Sequence, residues 1–153
     1  MSTIEQTQTT VQVYQVFINA TPDAIWKAIT EPQFTAKYFY GSRIELADGR
    51  RISHGPDGSL WGDEAVVESD PPRKLVHEWR AQYDPEMAAE APSRVTWEIE
   101  PQDGGYSLLT VVHDQLEGAP KTAASVYGQG WMMVLSGLKT LLETGKPLHD
   151  FSS

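Results

Sequence analysis

Between Gly41 and Asp114 four clusters of turn-forming residues, Asp48-Gly49, Gly55-Pro56-Asp57-Gly58, Asp70-Pro71-Pro72 and Asp103-Gly104-Gly105, cut the chain into short runs. Glycine and proline at this density exclude long helices, and the runs between them are rich in β-branched and aromatic residues. Six strands are predicted, over 42–47, 50–54, 60–68, 74–83, 93–100 and 106–114. Short links of this kind join antiparallel neighbours, because parallel pairs need a long crossover.

The period changes on either side of this block. VQVYQVFIN, from Val11, reads as a first strand. Thr21-Pro22-Asp23 then supplies an N-cap, a proline at the first helical position and an acid in the first turn. The helix they open buries Ile25, Trp26 and Ile29, and Pro32 starts a second short helical piece holding Phe34, Tyr38 and Phe39. Beyond Pro120, the residues Tyr127, Trp131, Val134, Leu135, Leu138, Leu141 and Leu142 recur at spacings of three and four. They mark one face of a long helix ending near Gly145-Lys146-Pro147. The predicted class is α+β, an antiparallel sheet with its helices on one face. A length of 153 residues suits one domain, expected over 11–147 between tails at 1–10 and 148–153.

Charge excludes some partners. There are 21 acidic and 12 basic residues, a net of -9, so the basic surface that displaces counterions from nucleic acid is missing. The excess has an address: 14 acidic residues against four basic ones lie between Asp57 and Glu117. MSTIEQTQTT has neither the basic nor the apolar part of a signal peptide, and the sequence contains no apolar run of a membrane span's length. Cysteine is absent, which removes thiol catalysis, disulfides and thiolate metal sites. A cytoplasmic location is expected.

Side chains alternate across a strand, so parity sorts each run into two faces. The inward sets are Leu75, His77, Trp79, Ala81 and Tyr83; Val95, Trp97 and Ile99; and Trp61, Asp63, Ala65 and Val67. Glu64, Glu68, Glu98 and Glu100 then fall outside, as solubility charges. Large rings at Trp61, Trp79 and Trp97 face Tyr127 and Trp131 of the last helix, and such rings either fill a core or wall a ligand cavity. Gly128 and Gly130 interrupt the helix at a cost of roughly 1 kcal/mol each, which favours a space requirement.

Polar residues on inward faces need partners. With the Asp70-Pro71-Pro72 turn pairing Ala65 with His77, Asp63 faces Trp79 and lies diagonal to His77, within reach of a hydrogen bond. The same counting sets His113 level with Tyr83, roughly 20 Å from His77 at about 3.3 Å per residue. No metal site is expected from four histidines without HxH or HExxH spacing, and no cofactor motif is present. No catalytic set is identified.

The stretch WGDEAVVESDPPRKLVHEW, Trp61 to Trp79, resembles the centre of the activator of heat-shock-protein-ninety ATPase homologue family, in the START/birch-pollen-allergen-like (SRPBCC) superfamily. INATPDAIWKAITEP, DGGYSLLTVVHDQL and GWMMVLSGLKTLLE extend the likeness over residues 11–145. The resemblance implies a helix-grip fold, a seven-stranded antiparallel sheet wrapped around a long C-terminal helix with a cavity between them. The expected function is binding of a small hydrophobic or aromatic ligand by Trp61, Asp63, His77, Trp79, Trp97, Tyr127 and Trp131. Two alternatives stand beside it: an enzyme of cyclase, dehydratase or hydrolase type using His77, Asp63 or Tyr127, and a domain that contacts a chaperone, or another copy of itself, through its acidic outer face.

Overall fold

A computed structural model describes residues 10–151, so the expected N-terminal tail, save Thr10, lies outside the described residues. In chain order these form β1 (Gln12–Ile18), α1 (Pro22–Thr30), α2 (Pro32–Tyr38), β2 (Arg43–Ala47), β3 (Arg50–His54), β4 (Leu60–Asp70), β5 (Lys74–Trp79), α3 (Pro85–Ala88), β6 (Ser93–Pro101), β7 (Ser107–Asp114), α4 (Pro120–Val126) and α5 (Gln129–Thr144). The seven strands make one antiparallel sheet in the order β1-β7-β6-β5-β4-β3-β2. α5 packs on one face of it, which is the helix-grip arrangement. Among the described residues no helix is long and apolar enough to cross a membrane.

The local signals act as the sequence implies. Thr21 Oγ1 accepts from the Ala24 N–H at 3.2 Å and Pro22 opens α1. Asp48 and Gly49, both at positive φ, make the two-residue turn that joins β2 to β3. Gly145, at φ 78°, ends α5 with its N–H on the Leu141 carbonyl. Val95, Trp97 and Ile99 of β6 all point into the core, as parity requires.

Three features depart from the sequence reading. The last helix is two helices, because Gly128 takes φ 63° and ψ -101° and turns the chain between α4 and α5. β5 stops at Trp79 rather than residue 83; Asp84 then caps α3, accepting from the Glu86 N–H at 2.8 Å. β4 carries two bulges. Its pairing with β5 shifts between Val66 and Glu68, and its pairing with β3 places Gly62 opposite Ser53 but Leu60 opposite His54, leaving Trp61 as the extra residue. One inserted residue exchanges the faces of everything beyond it.

α2 and α5 meet at a glycine. A Cβ on Gly137 would lie 3.0 Å from Tyr38 Cβ. Tyr38 is itself held, its hydroxyl donating to the Ala28 carbonyl at 2.7 Å, and burial raises its phenol pKa. Substituting Gly137→Val must therefore drive α5 away from α2. The expected loss is about 2 kcal/mol, read as a lower urea midpoint at unchanged slope; an unchanged midpoint contradicts the contact.

Candidate functional site

Behind the helix lie two imidazoles, each held by an indole. Trp97 Nε1–H donates to His77 Nε2 at 3.0 Å, and Trp131 Nε1–H donates to His113 Nδ1 at 3.1 Å. An indole nitrogen only donates, so each bond fixes a neutral tautomer. His77 then donates from Nδ1 to the Glu78 carbonyl at 2.8 Å, and His113 from Nε2 to Ser93 Oγ at 2.8 Å. Ser93 passes the chain on to the Trp79 carbonyl at 3.3 Å. Both rings are fully buried, and desolvation followed by the field of Arg51 lowers both pKa values, that of His113 to about 3.

In front of them, between the sheet and α5, is a cavity of about 450 Å³. Phe39, Trp79, Trp131 and Val134 form its apolar wall and Trp61 stands at one side. Gly55 makes room for the Trp61 indole, since a Cβ there would come within 2.4 Å of it. Tyr40 lines the cavity and meets Phe151, near the chain's end, with ring centroids 5.8 Å apart.

One ion pair sits in this apolar lining. Arg51 and Glu64 are register partners on β3 and β4, and Arg51 NH1 donates to Glu64 Oε1 at 3.1 Å. Their side chains are 3% and 5% exposed. The guanidinium also lies 5.3 Å from the Trp79 ring centroid and 5.6 Å from that of Phe39, within cation–π range. Burial pushes the Glu64 carboxyl up, to about 7, with Arg51 pulling the other way; burial likewise lowers the pKa of Arg51.

The seven residues expected at the site separate. Trp61, Trp79 and Trp131 line the cavity. Trp97 and His77 lie behind that wall, bonded to each other and closed from it. Tyr127 falls in the break between α4 and α5 and is 52% exposed. The Asp63–His77 pair does not form: the bulge pairs His77 with Val66 and turns Asp63 outward, where Arg50 Nε donates to it at 2.9 Å. The same shift brings Glu64 inside, against the expectation of an outer solubility charge. His113 is also displaced from its expected level: Val95 pairs with both His77 and His113, so the histidines are two strands apart, roughly 10 Å at about 4.8 Å per strand. Phe39 and Val134 line the cavity without having been expected there, and so do the charged Arg51 and Glu64. The one signal for Arg51 and Glu64 was adjacency to a hairpin, which places them on neighbouring strands without choosing a face.

A seven-stranded antiparallel sheet gripping a C-terminal helix, with a cavity between, defines a START/SRPBCC-type protein. A family model described as "Activator of Hsp90 ATPase homolog 1-like protein" matches residues 19–143, and the chain belongs to that family. None of the curated proteins matches it. Among solved structures it is similar to protein MLL2253 from Mesorhizobium loti, at 23% identity and TM-score 0.70 over 87% of this chain and 96% of that one. It is also similar to CalU16 from Micromonospora echinospora, at 22% identity and TM-score 0.66 over 90% of this chain and 76% of that one. DynU16, described as a putative protein in the dynemicin biosynthetic locus, aligns at 23% identity and TM-score 0.71 over 90% of this chain; the chain spans about half of its length, 49%. At these identities the likeness is one of fold.

The neutral imidazoles make stability depend on pH. The unfolded chain takes up protons below about 6.5, the ordinary histidine value, while the folded rings resist them, His113 down to about 3. Their contribution is complete above the unfolded value and is lost as pH falls toward the folded one, at roughly 1 kcal/mol per pH unit for each ring. Glu64, with its raised pKa, contributes a slope of the opposite sign between about 4.5 and 7. Replacing His113→Gln keeps an acceptor and a donor but cannot titrate, and leaves Glu64 in place. Urea midpoints against pH are expected to fall less steeply below about pH 6.5 in this variant than in the wild type; parallel profiles rule out a neutral buried His113.

Proposed function

We propose that this chain binds a small apolar, ring-containing molecule in the cavity between the sheet and α5. The observation that carries this reading is unfilled space of about 450 Å³ between the sheet and α5, walled by Phe39, Trp79, Trp131 and Val134. Ligand cavities run from roughly 300 to 1,000 Å³ and combine apolar walls with a few placed polar groups. Here the polar groups are Arg51 and Glu64. The family assignment and the helix-grip fold agree with the reading, since the space lies where that fold leaves room.

Acid–base catalysis by His77, Asp63 or Tyr127 has no geometric basis, because none of the three lines the cavity. Binding is therefore the function the geometry supports best.

The neutral fluorophore N-phenyl-1-naphthylamine tests it. Emission should rise on titration into the wild type with a micromolar Kd. Filling the space from the helix with Val134→Phe, or from the sheet with Ser53→Leu, should weaken binding by about tenfold or more in variants that still melt cooperatively. A wild type that does not bind the probe, or folded variants that bind it equally well, contradicts the reading.

A further inference from the structure

The cavity carries a charge opposite to that of the molecule. The protein as a whole stands at -9. The formally charged residues lining the cavity are Arg51, Arg80 and Glu64, a net of +1. Among the described residues Arg80 has no ion-pair partner, and the guanidinium of Arg51 makes a single hydrogen bond, from NH1 to one Glu64 oxygen.

A guanidinium has five N–H donors in a flat fork that fits a carboxylate through two parallel bonds. Arg51 is held in the opposite way, by one bond at one end, although its side chain is only 3% exposed. Its remaining donors make no hydrogen bond within the protein and are not among its buried unpaired atoms, so they reach the open space of the cavity that Arg51 lines. The Trp79 and Phe39 rings restrict the plane of the guanidinium, so few rotamers remain to be lost on binding. With rings close by, water screens the charge poorly, and an anion is worth more there than at the surface.

We propose that Arg51 anchors the carboxylate of a planar, apolar monocarboxylic acid, taking it on the donors that Glu64 leaves unused while the ligand's ring lies among Trp61, Trp79 and Trp131. This rests on the cavity reading above and adds the chemical class of its occupant. Glu64 keeps Arg51 paired when no ligand is bound and competes with the incoming carboxylate for it. Burial already biases Glu64 toward its neutral form, which lessens the repulsion between the two acids. The other ionisable groups around the pair are Tyr38 and His77 behind it, His113 across the sheet, Arg50 and Asp63 on the outer face, and Arg80, Tyr40 and Tyr83 on the lining. Of these Arg50, Asp63 and Arg80 carry formal charges, and they sum to a positive one.

The test is calorimetric titration of the full chain near neutral pH with 2-naphthoate and with its neutral isostere methyl 2-naphthoate. The wild type should bind the acid about tenfold or more tightly than the ester. Glu64→Gln, which removes the competing charge, should tighten naphthoate several-fold relative to the ester. The double variant Arg51→Met/Glu64→Leu replaces the ion pair with apolar groups, an exchange folded proteins often tolerate. It should lose the preference for the acid over the ester. Equal affinities for acid and ester in the wild type, a preference that survives in the double variant, or naphthoate binding that does not improve in Glu64→Gln overturns the proposal. Binding of the ester with no preference for the acid defeats this assignment and leaves the cavity reading standing; binding of neither compound defeats both.

Discussion

The hydrogen bond from Trp131 Nε1 to His113 Nδ1 fastens the last helix to the sheet, and the shape of the interior follows from it. An indole buried at this depth needs an acceptor, and the only acceptor an imidazole can offer is an unprotonated nitrogen. The pair thus demands a neutral His113, whose other nitrogen must donate, and Ser93 receives that bond. Trp131 touches Trp97 and Trp79 at ring-centroid distances of 5.5 and 5.8 Å, so it stands as a spacer between helix and sheet. On one side of that spacer the space is filled by Leu138 and the core strands; on the other it remains open as the cavity.

β4 decides what the open side contains. Its first bulge leaves Trp61 unpaired and free to direct its ring toward Gly55 and the cavity, while the second turns Glu64 inward and Asp63 outward. A buried arginine–glutamate pair is weak support for stability, because desolvating both charges offsets most of their attraction. Bulges are common beside functional sites for this reason: they re-aim a few side chains without changing the sheet.

Acid and base are sorted by this geometry. Glu68, Glu98 and Glu100 lie exposed on the sheet, where water screens them. Glu64 is the acid of the same segment that went inside, and it went with an arginine opposite. The formal charges that line the cavity thus differ in sign from that of the whole molecule, +1 against -9.

Much of the architecture was legible. Proline and glycine clusters delimited the strands, Thr21-Pro22 opened α1, and spacings of three and four put Trp131, Val134 and Leu138 on one face of α5. On β6 the alternation of Val95, Trp97 and Ile99 with charged and polar neighbours placed each residue correctly, since nothing interrupts that strand. Local periodicity suffices wherever the ladder is regular, because each side chain's direction is set by the backbone beside it. It failed on β4, whose bulges fall at Trp61 and between Val66 and Glu68 with no proline there to announce them, and at Tyr127, where the positive φ of Gly128 divides the helix. The chain's own pattern of turns and apolar repeats thus determined the strands, the helices and their order. Which of Asp63 and Glu64 enters the cavity, and which histidine each indole meets, depended on the register between strands far apart in sequence; a single inserted residue there inverts a face, and only the packed sheet sets where that residue goes.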